Sequence, residues 1–241
     1  MTTVKLLDRY STDNPDEAAV LAARGDYMEQ SLVSEEAREY ALSSINGTDG
    51  EPKRERLRSF IEKAIQRGHW GIFEHPKAYF VVEGISRDQM AQITRHRVGV
   101  SFDVQSMRYV DFDDADFEIP ETAAEIDVEW ELDGVANIEL PSEKVMLDTF
   151  NASLKRYKKL RESGMEKEDA RKVLPIGTKV NMTFSINLRA LLHVADLRVS
   201  GVAQHDTRSF MQQVMDEARE WSPITISEYE EHGKNSSLNS P

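Results

Sequence analysis

From Arg54 to Arg67 the apolar residues Leu57, Phe60, Ile61, Ala64 and Ile65 recur three and four apart. That spacing places them on one face of an α-helix, and Gly68 supplies its stop. The stretch Ser142 to Glu162 repeats the pattern with Val145, Met146, Phe150, Leu154, Tyr157 and Leu160, and Gly164 follows it. Shorter helices are predicted over Asp16 to Arg24 behind the Asn14-Pro15 start signal and over Ser34 to Ser44 with Ser34 as cap. Others run from the Ser86 cap to about Arg97, over Lys167 to Val173 before Pro175, over Asn187 to Arg198, and over Ala203 to Trp221 after a break at Ser200-Gly201. In two places the period drops to two. Ala78, Phe80 and Val82 alternate with Tyr79 and Val81 over Lys77 to Glu83, and Val180, Met182, Phe184 and Ile186 share one face over Lys179 to Ile186, so both segments read as strands. Long helices with few strands and no βαβ alternation predict an α+β domain, with disorder over the polar tail 233–241.

Charge changes this picture in one segment. The chain of 241 residues carries a formal net charge of −13, which argues against non-specific nucleic-acid binding. Thirteen acids and no base lie between Asp111 and Glu143, so this segment nearly accounts for the whole excess. It reads as a solvated excursion with a little strand or helix. With 12 Lys against 18 Arg, the acidic, lysine-poor surface suits a protein hydrated in a salt-rich cytoplasm, as in halophiles. The absence of cysteine excludes disulfides, thiolate–metal sites and cysteine nucleophiles, and no paired-His spacing leads to the expectation of a metal site. Neither a membrane span nor a signal peptide is visible, and a cytoplasmic protein is expected.

Against this acidic background Arg95 to Tyr109 stands out. Three guanidiniums, the His96 imidazole and three hydroxyls fall within fifteen residues, equipment suited to a phosphorylated ligand. The same arginines could simply end the preceding helix, whose carbonyl end favours cations. Gln92, Arg95 and His96 would share a helical face, and Arg189 and His193 share another. Arginines on apolar helices need partners, and ligand phosphates or the surplus carboxylates would both serve.

These residues resemble the flavin-dependent thymidylate synthase family. R-H-R at Arg95 to Arg97 followed by S-x-R-Y at Ser106 to Tyr109 is similar to the family signature. In the same order along the chain, GHWGIFEH (68–75), EDARKVLPIG (168–177), INLRALLHVADLR (186–198) and AQHDTR (203–208) resemble its other blocks. Three departures stand out. Eight residues instead of seven separate R-H-R from Ser106, Asp103 and Val104 replace a usual Asn-Glu pair, and Gly71 replaces a usual hydroxyl residue at a flavin contact.

The resemblance implies a single domain of long helices on a small, mainly antiparallel sheet, spanning residues 1–232 with an acidic excursion over 111–143, and a homotetramer with shared active sites. It implies methylation of dUMP to dTMP, with methylenetetrahydrofolate as carbon donor and NADPH reducing an FAD, and no enzyme nucleophile. Arg198 is carried over as the catalytic residue beside the uracil ring. Gln92, Arg95, Gln105, Ser106, Arg108, Arg171 and Arg198 are carried over as the dUMP contacts. Gly71, Arg95, His96, Arg97, Asn187, Arg189 and His193 match flavin positions, and His69, with Glu74 in the same block, matches the folate and nicotinamide side. Ser106 has no evident base beside it, so substrate positioning is expected of it, not nucleophilic attack. A non-catalytic nucleotide- or flavin-binding protein and a helical interaction module are the alternative readings.

Overall fold

A computed structural model of the chain describes residues 2–46, 53–132 and 135–232. It has the α+β architecture that the periodicity predicts. Strands β1 (Thr3–Leu6), β2 (Lys77–Ser86), β3 (Val100–Val104) and β6 (Lys179–Asn187) form a four-stranded sheet in the order β1-β2-β6-β3, and β4 (Asp127–Leu132) pairs with β5 (Val135–Pro141) as an antiparallel hairpin. Bonds from Leu7 N to Tyr79 O, Leu188 N to Pro76 O and Asn187 N to Gly99 O fall where antiparallel neighbours of the larger sheet meet. The helices are α1 (Pro15–Tyr27), α2 (Glu35–Asn46), α3 (Lys53–Gln66), α4 (Arg87–Ile93), α5 (Ser142–Glu162), α6 (Lys167–Ala170), α7 (Leu188–Arg198), α8 (His205–Trp221) and α9 (Pro223–His232). Among the described residues no helix is long and apolar enough to cross a membrane.

Two compact units are distinguished. Unit 1 comprises residues 1–3, 82–95 and 103–182; unit 2 comprises 4–81, 96–102 and 183–241. In unit 2 the α3 face anticipated from spacing is buried at Leu57, Ile61, Ala64 and Ile65 and half-buried at Phe60, and Leu188, Leu191 and Leu192 of α7 and Phe210, Met211 and Val214 of α8 are buried as well. Phe80 and Phe184 stack with ring centroids 4.9 Å apart. Each of the Leu, Ile, Val, Met and Phe side chains contributes roughly 1.5–3 kcal/mol by leaving water. Helix α9, which the sequence reading missed, begins on a buried carboxylate: Asp16 accepts from Ser222 Oγ (2.8 Å), Ile224 N (3.1 Å), Thr225 N (3.0 Å) and Thr225 Oγ1 (2.6 Å).

In unit 1, α5 has the predicted bounds but buries only Phe150 and Tyr157 fully, its other apolar positions being half-buried or exposed. The acidic segment is anchored here. Phe117 stacks on Phe150 at 4.7 Å, Glu118 N donates to Gly177 O at 2.8 Å, and the Tyr157 hydroxyl donates to Asp111 at 3.1 Å. Lys179 Nζ joins Asp116 (3.0 Å) and Glu118 (3.3 Å). The excursion thus contains the β4–β5 hairpin and a 3-10 turn over Glu121–Glu125. The expected disordered tail 233–241 lies outside the described residues.

Candidate functional site

Helix α4 opens on a reciprocal capping box, in which Ser86 Oγ accepts from Gln89 N and Gln89 accepts from Ser86 N. It then ends at Ile93, four residues before the predicted stop, with Thr94 N bonded to Met90 O at 2.9 Å. Gln92, Arg95 and His96 therefore do not share a helical face, and that expectation is corrected. The chain turns at Thr94-Arg95 and passes Gly99, whose φ of +70° is costly for any residue with a Cβ. A Cβ on Gly99 would stand 2.5 Å from Asn187 Nδ2. Strand β3 follows, so most of the eight-residue spacer before Ser106 is sheet and not loop.

In unit 1 the spacer ends where Gln105 N donates to Asn181 O (2.8 Å) and Asn181 N donates to Gln105 Oε1 (3.0 Å). A tight turn carries the motif residues: Ser106 Oγ accepts from Arg108 N at 3.3 Å, and Ser106 O accepts from Val110 N at 3.0 Å. Among the described residues no histidine or carboxylate bonds the Ser106 hydroxyl, whose observed contact is with Arg108 N. Arg108 pairs with Glu168 at 2.8 Å and lies over the Tyr109 ring at 5.6 Å. Gln92 is half-buried and Arg95 exposed.

Beside this turn the structure brings out a residue that the sequence reading passed over. Arg87 and Arg171 line a cleft of about 220 Å³ with Met107, Lys172, Leu174 and Pro175. Both guanidiniums are half-buried, and among the described residues neither forms an ion pair; Arg171 Nε donates only to Glu168 O at 3.2 Å. Partial loss of hydration, and next the like charge of Arg171, hold the Arg87 pKa below the usual arginine value. Two cations converging without a carboxylate form a site for an anion. Lys172 is instead paired with Asp169 at 2.7 Å. Arg87 lies eight residues before the R-H-R run, in a segment legible only as a helix start.

In unit 2, Asn187 caps α7 by accepting from Ala190 N at 2.8 Å, and its backbone N donates to Gly99 O at 2.9 Å. Three positions of α7 then carry chemistry. Arg189 pairs with Glu74 at 2.5 Å, so for this arginine the carboxylate alternative is realised. His193 meets His96 edge to face, centroids 6.3 Å apart. At the helix end Arg198 Nε donates to His96 Nε2 at 3.0 Å. Because a guanidinium only donates, that ring nitrogen must offer its lone pair, leaving the imidazole proton on Nδ1. Arg97 and His69 are exposed, and the position of Gly71 has open space where a side chain would stand.

Comparisons with known proteins bear on family and fold. Residues 5–224 match the family described as thymidylate synthase complementing protein. Two curated relatives named flavin-dependent thymidylate synthase are similar along nearly their whole length: one from Haloarcula marismortui, 42% identical with 96% of each chain covered, and one from Halobacterium salinarum, 40% identical with 96% of this chain and 98% of the relative covered. In fold, the chain is similar to the UMP/dUMP methylase PolB from Streptomyces cacaoi, solved with 5-Br dUMP, at a TM-score of 0.74, 23% identity, and 100% and 98% coverage. With a match that spans most of the chain and relatives at such identity, the chain belongs to the thymidylate synthase complementing protein family, that of the flavin-dependent thymidylate synthases.

Proposed function

We propose that this chain methylates dUMP to dTMP, with FAD as its flavin, methylenetetrahydrofolate as carbon donor and NADPH as reductant, in a cytoplasmic homotetramer whose protomer is one catalytic domain over residues 1–232. The observation that carries the reading is the cleft of Arg87 and Arg171, two half-buried guanidiniums that form no ion pair among the described residues, in a chain of charge −13. A nucleoside monophosphate offers the dianion that this cleft lacks, and Ser106, next to Met107 of the lining, supplies neutral donors with its turn amides. Arg108 would exchange Glu168 for the same phosphate, and Gln92, Arg95 and Gln105 complete the nucleotide contacts.

Arg198 is assigned to the uracil edge. A fixed guanidinium there stabilises negative charge on the ring oxygen as C5 becomes nucleophilic, and the His96 bond orients it. The polar groups of unit 2 suit a flavin: Asn187, His96, His193 and Arg189 offer an amide, two imidazoles and a guanidinium, Arg97 adds a cation for its phosphates, and Gly71 faces open space. Bound and reduced, the flavin supplies the hydride that completes the methyl group.

The test is product analysis. Purified protein given FAD, NADPH, methylenetetrahydrofolate and dUMP is expected to release dTMP together with tetrahydrofolate. Stoichiometric dihydrofolate would mean that the folate gave the hydride, and the reading would fail.

A further inference from the structure

Two neighbouring residues at the start of α6 reach back to the motif turn of unit 1. Glu168 takes the Arg108 side chain at 2.8 Å, and Lys167 Nζ donates to the Tyr109 backbone carbonyl at 3.2 Å. The two contacts differ in kind. The Arg108 pair is exposed on both sides and can be exchanged for a ligand. Lys167 instead bonds main chain, at the point where Tyr109 N and Val110 N already donate to Ser106 O at 3.2 and 3.0 Å. It therefore ties down the end of the turn whichever anion Arg108 faces.

Lys167 is itself held. Its side chain is only 26% exposed, and its ammonium stands 3.5 Å from Asp111 Oδ2. The other oxygen of Asp111 accepts from the Tyr157 hydroxyl at 3.1 Å, and Phe112 N donates to that hydroxyl at 3.4 Å. Tyr157 is fully buried on α5, so the carboxylate is fixed by a side chain that cannot swing away. Arg161, a second cation facing Asp111, stands farther off at 3.9 Å. Loss of hydration would raise the Asp111 carboxyl, but the Tyr157 hydroxyl and then Lys167 hold it below the usual carboxylate range, so it stays charged beside the ammonium.

A turn that presents a hydroxyl and a guanidinium to a phosphate binds it more tightly the less it must be ordered on binding. We propose that Lys167 is a positioning residue for phosphate binding, which fixes the turn over 106–109 through the Tyr109 carbonyl and is itself aimed by Asp111. This rests on the reading of that turn as part of the dUMP phosphate site. Each member looks ordinary in the sequence: Lys167 as the first residue of a short helix, Tyr157 as part of an apolar face, Asp111 as the first of thirteen solvated acids. The contacts give that first acid a task which solvation alone does not.

The test is calorimetric titration of dUMP into the full chain, with FAD absorbance and melting temperature as controls. Lys167→Met should weaken dUMP binding about tenfold. Both controls should stay unchanged, because the partners it leaves, Tyr109 and Asp111, are exposed to water. Lys167→Arg should restore affinity to within about threefold of wild type, since a guanidinium can donate to the same carbonyl and carboxylate. Asp111→Asn keeps an acceptor for Tyr157 and loses the charge. Alone it should cost about threefold, and combined with Lys167→Met it should add less than about twofold, the mark of two residues acting through one contact. Fully additive losses, an arginine variant as weak as the methionine one, or a lower melting temperature in place of lower affinity would overturn the proposal. Arg108→Ala separates the positioning role from the site beneath it. If Arg108→Ala weakens dUMP binding and Lys167→Met does not, the positioning role alone fails. If neither changes the affinity, the turn is not the phosphate site and both fail.

Discussion

Arg87 and Arg171 illustrate how a single residue can be costly to the fold and useful to the ligand. Each guanidinium is half-buried and faces the other, so removing one relieves repulsion instead of breaking a pair. Arg87→Ala and Arg171→Ala should each weaken dUMP binding by roughly 1.5–3 kcal/mol, the range for hydrogen bonds to charged groups. Neither should lower the melting temperature. Calorimetric titration with thermal melts checks both points, and a loss of stability with unchanged affinity would show the arginines to be structural. At Arg198 the contact with His96 runs through Nε, which lysine lacks. Arg198→Lys keeps the charge but loses the fork and the orienting bond, so turnover should fall more than dUMP affinity. Ser106→Ala should retain measurable turnover, because the hydroxyl's observed role is to accept from Arg108 N. Single-turnover dTMP formation decides the matter: an inactive Ser106→Ala beside a nearly normal Arg198→Lys would restore the serine as nucleophile. Of these residues Arg198, Ser106 and Arg171 were legible through the motifs. Arg87 was not, because a guanidinium at a helix start looks like any other until its neighbours are known.

Elements whose stability comes from their own pattern were the legible ones. Helix α5 matches its predicted bounds because a continuous apolar face sets its length and Gly164, at φ +89°, ends it. Strand β6 was equally plain, with Val180, Met182, Phe184 and Ile186 all buried. Elements that depend on distant partners were missed or misjudged. Strand β1 has four residues, β3 has five of which none is fully buried, and α4 stops where the backbone must reach Gly99. Helix α9 is the clearest case, since its first turn is satisfied by Asp16, some 200 residues earlier. Removing that carboxylate strands two hydroxyls and two backbone amides in the interior, at about 1–3 kcal/mol for each unsatisfied group. Asp16→Ala should therefore cost at least roughly 3 kcal/mol of stability, against well under that for Asp13→Ala on the surface of the same turn. Denaturant unfolding measures both, and equal effects would show that α9 is held by its apolar contacts alone. Glu228 and Tyr229 add a second attachment, through Arg58 at 3.0 Å and through the Asp196 carboxylate. Loss of hydration and then that carboxylate push the Tyr229 hydroxyl above the usual phenol range, which favours its role as a donor to Asp196.

For the whole molecule the decisive quantity is charge. A net charge of −13, with thirteen acids between Asp111 and Glu143, makes the folded chain repel itself. Loss of hydration and then the adjacent Asp111 carboxylate push the Asp113 carboxyl up, a local sign of that repulsion. Exposed pairs such as Arg219–Glu230 and Lys159–Glu162 work the other way, but each contributes little in water and salt weakens it. Excess like charge outweighs them, so raising KCl from dilute buffer to about 1 M, where the Debye length falls to about 3 Å, should raise the melting temperature. Neutralising Asp113, Asp114 and Glu121 with amides should flatten that rise. On the proposed reading ligand binding has the opposite sign, since the cationic cleft would attract a dianion across a distance that salt screens. The affinity for dUMP should fall over the same range in which stability grows. The two slopes come from one set of charges read at two places, an acidic surface and a cationic cleft. A melting temperature that falls with salt would refute the self-repulsion account, and a dUMP affinity indifferent to salt would remove Arg87 and Arg171 from the binding site.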